Sequence, residues 1–160
     1  MLTLHSDSLA TTHAIAAALA AHVRAGDVIV LAGEMGSGKT AFAQGFGAAL
    51  GVTDHMTSPT YNLVHSHPAG RLMLHHADLY RLSTQHEVAD LALAELAEAD
   101  GVLLVEWGDV AGGALGEHLL LRLGAVEDDD GARAVELSAL GRAWATRWHE
   151  LCRSVEAWTC

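Results

Sequence analysis

The octapeptide Gly33 to Thr40, G-E-M-G-S-G-K-T, constrains this chain more than any other feature. It follows Asp27 to Ala32, whose V-I-V-L-A run reads as a strand covered on both faces, and leads into a helical stretch from Lys39 to about Leu50 that stops at Gly51. Strand, glycine-rich turn and helix in that order are the context in which such an octapeptide binds phosphate. Gly33, Gly36 and Gly38 let backbone N–H groups wrap an anion, and the start of the helix adds its dipole. Lys39 has the reach for β- and γ-phosphates, and the Thr40 hydroxyl is placed to ligate Mg²⁺. Lys39 is the only lysine in the chain, so the one lysine present stands where the motif needs it.

The remaining segments fit an α/β fold. Leu2 to His5 predicts a short strand, and Ser6 to Ser8 offer caps for an alanine-rich helix to about Val23. Tyr61 to His67 and Arg71 to Ala77 predict a hairpin about Pro68, Ala69 and Gly70, followed by a helix over Ser83 to Ala99. Val102 to Val105 predicts a second buried strand ending in Glu106. Leu119 to Leu123 and Arg133 to Leu137 predict strands joined by the acidic turn Glu127 to Gly131, and Leu140 to Val155 a closing helix. The expectation is a single-domain P-loop NTPase fold over residues 1–160. Its central sheet is mostly parallel and flanked by helices, with a β-hairpin after the phosphate-loop helix.

Composition narrows the function. Of 160 residues, 51% are hydrophobic and 18% charged, which excludes a disordered chain, and no apolar run is long enough to span a membrane. The first residues lack the basic start and apolar core of a signal peptide, so a cytoplasmic protein is expected. A formal net charge of -11 opposes direct nucleic-acid binding, which needs clustered Lys and Arg. Cys152 and Cys160 are too few for a disulfide framework and read as free thiols.

A phosphate loop needs a carboxylate from a neighbouring strand for its metal, and Glu106 is placed to supply it; Asp78, also just past an apolar run, is a second candidate. Trp107 follows Glu106 and is a candidate to stack on a nucleotide base, with a packing indole as the alternative. Trp144, Trp148 and Trp158 read as packing residues. His65 with His67, and His75 with His76 on the hairpin partner, raise a transition-metal site as a minor alternative. The guanine-reading motif N-K-x-D is impossible with Lys39 and Asn62 as the only lysine and asparagine, so a GTPase is disfavoured. Eight scattered arginines make a poor clamp for a small-molecule kinase, which stays as an alternative beside a regulatory module with little turnover.

Gly33 to Thr40, Ser58-Pro59-Thr60-Tyr61, His76-Ala77-Asp78-Leu79-Tyr80-Arg81-Leu82 and Glu106-Trp107, in this order, resemble the TsaE family, ATPases of bacterial tRNA threonylcarbamoyladenosine synthesis. The resemblance covers nearly the whole chain. It implies ATP or ADP at Gly33, Met35, Gly36, Ser37, Gly38, Lys39, Thr40, Ala41 and Trp107, with Thr11 and Arg133 as weaker contacts. Mg²⁺ would sit on Thr40 and Glu106, and Asp78, Thr60 and Lys39 would serve hydrolysis, Thr60 as the family's switch threonine. The implied partners are a TsaD-like threonylcarbamoyltransferase and a TsaB-like protein, which would carry the tRNA. Gly108 and Asp109 depart from the residues common after the Glu-Trp pair, as does the segment Glu87 to Glu98, which lacks the family's usual glycine and aromatic positions.

Overall fold

A computed structural model describes residues 1–59, 63–82, 84–90 and 92–160. One seven-stranded sheet organises them. In chain order the elements are β1 (Leu2–Ser6), α1 (Leu9–Ala20), β2 (Val28–Ala32), α2 (Lys39–Leu50), β3 (Val64–Ala69) and β4 (Leu72–Asp78). Then come α3 (Gln85–Asp90), α4 (Leu93–Ala97), β5 (Gly101–Glu106), a 3-10 helix (Gly108–Leu115), β6 (His118–Val126), β7 (Asp129–Leu140), α5 (Arg142–Ala145) and α6 (Trp148–Ser154).

The strand order is β1-β7-β6-β2-β5-β4-β3. The four central strands β6, β2, β5 and β4 are parallel, whereas β7 and β1 at one end and β3 at the other run antiparallel to their neighbours. Both expected hairpins are therefore present, and each joins a flanking strand of the parallel centre, β4 or β6, to an antiparallel strand outside it, β3 or β7. Every residue of β2 and of β5 is buried. Alternation splits each strand between two cores: Ile29, Leu31, Val102 and Leu104 pack with α1 and α2, while Val28, Val30, Leu103 and Val105 face the opposite cluster with Val88 and Leu93. A strand clothed on both faces has no polar side to display, which is why V-I-V-L-A reads as unbroken apolar residues.

Ser8 caps α1 by accepting from the Thr11 N–H. The helix α2 spans the expected residues and ends on Gly51 at φ 105°. Within it, Gly45 admits α1, since a Cβ there would lie 2.8 Å from the Cα of His13. Four expectations needed correction. The helix expected over Ser83 to Ala99 is broken into α3 and α4 at Ala92, which takes a left-handed φ of 48°. The closing helix is divided at Thr146 and Arg147, because β7 runs on to Leu140 and the Arg147 guanidinium is drawn inward. Arg147 there donates to both carboxylate oxygens of Asp27 at 2.7 Å and to the carbonyl oxygens of His22 and Ala143. Pro68 and Ala69 belong to β3, so its turn sits at Gly70 and Arg71. The β6–β7 turn is likewise tighter than expected and pivots on Asp128 at φ 65°.

No helix among the described residues is long and apolar enough to cross a membrane.

Candidate functional site

The phosphate loop hangs from the end of β2 and closes at the start of α2. Gly33, Gly36 and Gly38 all have positive φ, of 143°, 79° and 102°. At Gly33 the demand is also steric, since a Cβ would lie 2.3 Å from the Leu123 carbonyl oxygen and 2.6 Å from Ser37 Oγ. Lys39 is 6% exposed, so its ammonium needs compensation. Its Nζ donates to the carbonyl oxygens of Gly33 and Glu34, each at 2.8 Å, and stands 4.0 Å from the centroid of the Trp107 ring. Met35, at the loop's apex, is 71% exposed, and Ala41 lies in the first turn of α2.

Opposite the loop, the parallel register of β4 and β5 pairs Asp78 with Glu106. Both residues have the parity of Leu74 and Leu104, which places their side chains on the α2 face. Thr40 Oγ1 donates to Glu106 Oε1 at 3.1 Å. Ser58 Oγ reaches Glu106 Oε2 at 2.7 Å and also contacts Asp78 Oδ2. Asp78 Oδ1 accepts from the Tyr80 N–H at 2.9 Å. His76, fully buried, brings Nε2 to 3.7 Å from Glu106 Oε2, beyond hydrogen-bond length but within ion-pair range.

Glu106 is itself 1% exposed. Burial is the strongest single influence on its carboxyl and opposes ionisation, yet His76, Ser58 and Thr40 together outweigh it and hold the group below its ordinary value. The result is an ionised carboxylate beside the Thr40 hydroxyl, an all-oxygen pair of the kind Mg²⁺ takes. Two adjacent ligands on an octahedral ion at about 2.05 Å stand about 2.9 Å apart, so the 3.1 Å between these oxygens fits with little adjustment.

Trp107 takes a left-handed φ of 60°, an outlier for a bulky residue, and its N–H donates to the Leu31 carbonyl at 2.9 Å. Its ring contacts the ammonium of Lys39 and also the ring of Tyr80, whose centroid is 5.1 Å away. Thr11 and Arg133 lie across β2 from it. Arg133 pairs with Ser6 in the β1–β7 register and donates to the Gly36 carbonyl at 3.3 Å. Thr11 sits in the first turn of α1, bonded to Asp7 and Ser8.

The structure thus gathers Lys39, Thr40, Asp78, Glu106 and Trp107 on one side of the loop and leaves Thr11 and Arg133 on the other. Thr60 lies outside the described residues. The residue that sequence reasoning left without a role is Ser58: it was legible as part of Ser-Pro-Thr-Tyr, but only its contact with two carboxylates separates it from an ordinary turn serine. The four hairpin histidines divide between the faces, with Ser66 opposite His75 and His65 opposite His76, and no described group of three His, Cys, Asp or Glu could hold a metal ion. A cavity of about 610 Å³ opens beside the loop between Gly33–Ser37 and the β6–β7 residues Arg122, Gly124, Ala134 and Glu136.

Comparison with known proteins agrees with this architecture. The crystal structure of YdiB from Bacillus subtilis aligns with a TM-score of 0.78 at 32% identity, covering 95% of this chain and 94% of that one. A protein of Bacillus subtilis named tRNA threonylcarbamoyladenosine biosynthesis protein TsaE is 37% identical over 143 residues, 89% of this chain and 88% of its own. A Streptomyces coelicolor protein of the same name is 41% identical over 134 residues, 80% of this chain and 90% of its own. The sequence model of the family described as threonylcarbamoyl adenosine biosynthesis protein TsaE matches residues 6–135. With that match spanning most of the sheet and both sides of the phosphate loop, the chain belongs to the TsaE family.

Proposed function

We propose that this protein binds ATP with Mg²⁺ and hydrolyses it in support of tRNA threonylcarbamoyladenosine formation, acting with a TsaD-like threonylcarbamoyltransferase and a TsaB-like partner. The observation that carries the reading is the chain of contacts from Thr40 through Glu106 and Ser58 to Asp78, which joins the Thr40–Glu106 oxygen pair to a second carboxylate beside the phosphate loop.

The loop's backbone N–H groups and Lys39 bind the phosphates, Lys39 trading its present bonds to the Gly33 and Glu34 carbonyls for phosphate oxygens. Mg²⁺, held by Thr40 and Glu106, would supply neutralisation of charge developing on the terminal phosphate. Asp78, anchored through Oδ1 by the Tyr80 N–H, orients the attacking water and accepts its proton.

The strand order also supports an orientation. From β7 to β5 is three strand spacings, roughly 14 Å, comparable to an extended nucleoside triphosphate. The phosphate tail then points toward Asp78 and Trp107, and the nucleoside toward Thr11 and Arg133. In this arrangement the indole covers Lys39 until phosphate arrives, and base stacking on Trp107 requires the ring to leave that position.

The test is a bacterium lacking its own TsaE, supplied with this chain and its cognate partners. Restoration of the modified adenosine, with release of phosphate to water in the reconstituted complex, is the expected result. A folded, expressed chain that leaves the tRNA unmodified overturns the assignment, and transfer of labelled phosphate to an added metabolite would favour a kinase.

A further inference from the structure

Ser58 faces a problem of counting. Its hydroxyl carries one donatable proton, and an ionised carboxylate can only accept. Yet Ser58 Oγ lies within hydrogen-bond distance of both Glu106 Oε2 and Asp78 Oδ2. The other oxygen of each is already engaged, Glu106 Oε1 by Thr40 and Asp78 Oδ1 by the Tyr80 N–H. The two acidic groups therefore compete for a single donor in a partly buried site, where an unanswered acceptor is costly.

From this geometry we infer that Ser58 is a positioning residue that couples metal occupancy at Glu106 to the carboxylate of Asp78. The inference rests on the proposed roles of those two residues. With Glu106 unligated, it competes for the Ser58 proton and Asp78 Oδ2 is intermittently left without a donor. When a divalent cation draws on the charge of Glu106, the hydroxyl rotates to Asp78 and fixes that side chain. No bond is made or broken; one hydrogen bond changes acceptor. Because coupling is reciprocal, Asp78 also strengthens cation binding through Ser58, although the two groups share no direct bond among the described contacts.

The test is a double-mutant cycle on the full chain, read by Mg²⁺ titration of nucleotide binding in calorimetry rather than by turnover. Asp78→Asn weakens Mg²⁺ by removing a nearby charge in any background. With Ser58 present it should weaken Mg²⁺ by about threefold or more beyond its effect in Ser58→Ala, because the second acceptor for the hydroxyl is also lost. Ser58→Thr, which keeps the hydroxyl, should restore the larger effect. If Ser58→Ala loses its fold by circular dichroism, Ser58→Cys, a weak donor of similar size, takes its place with the same expectation.

Equal effects of Asp78→Asn with and without the hydroxyl would overturn the coupling and leave the site assignment intact. A wild-type chain whose nucleotide affinity ignores Mg²⁺ would overturn both.

Discussion

The phosphate loop and the carboxylate cluster face each other across a few ångströms but are built by different means. The loop is contiguous: eight residues whose glycine dihedrals determine its shape. The cluster is collected from four places, with Thr40, the last residue of the loop, shared between the two, Ser58 from the segment before β3, and Asp78 and Glu106 from the ends of β4 and β5. Local dihedrals hold the first; sheet register and strand burial hold the second. Damage to the loop should therefore affect every nucleotide, whereas damage to the cluster should affect only what passes through the metal or the water.

The largest effect is expected at Gly33. Gly33→Ala must accommodate a φ of 143° and a Cβ 2.3 Å from the Leu123 carbonyl oxygen. Strain and overpacking together should cost about 2–5 kcal/mol, seen as a lowered denaturation midpoint. An unfolding free energy within about 0.5 kcal/mol of the wild type, the scatter of neutral surface changes, would break the claim that backbone geometry sets the loop. Next is Lys39→Ala, which removes the ammonium and should weaken ATP and ADP by about 100-fold, equally with and without Mg²⁺. Calorimetry in EDTA and in Mg²⁺ checks this, and a loss confined to Mg²⁺ would merge the two regions into one.

Glu106→Gln should do the reverse. It keeps the shape and loses the charge, so nucleotide affinity in EDTA should hold while Mg²⁺-dependent affinity falls by roughly 10- to 100-fold. Smaller is the response of Trp107, whose contact with the Lys39 ammonium is worth about 0.5–2 kcal/mol. Adding ATP should change indole fluorescence as Lys39 leaves the ring, and Trp107→Phe should abolish that change while Trp144, Trp148 and Trp158 remain. A persisting signal would place the reporter elsewhere.

The smallest concerns acid. Folding lowers the Glu106 carboxyl below its reference value of 4.5, so the unfolded chain binds more protons between the two values. This stabilisation is complete above pH 4.5 and is lost as pH falls through the lowered value. Glu106→Gln should lack that part of the acid-dependent loss, and identical pH profiles for the two proteins would contradict the network around Glu106.

The same contrast explains what the sequence made legible. The β2–loop–α2 unit, with α2 bounded by Lys39 and Leu50, follows from local signals: an apolar run, glycines at set spacing and a glycine stop. Glu106 and Asp78 could each be singled out as strand-end acids, but their partnership depends on β4 lying beside β5, a pairing between strands that are separated in sequence by α3 and α4. Ser58 had no legible role because its meaning lies in two contacts that span 20 and 48 residues. The break in the closing helix was hidden for a similar reason, since nothing near Arg147 in sequence announces that its guanidinium will fold back 120 residues to Asp27.

The register of β4 against β5 makes the chemistry depend on counting. Side chains alternate between faces, so one residue inserted into Gly101–Glu106 ahead of the carboxylate would turn Glu106 away from α2 and leave Asp78 opposite the wrong neighbour. The turn at Glu127 and Asp128 carries no such constraint, because the strands it joins meet the loop through Leu123 and Arg133, upstream and downstream of the turn. Length variation between related chains should therefore collect in that turn and be excluded from the two inner strands, giving the site a ruler of fixed length inside a fold whose outer connections are free to grow.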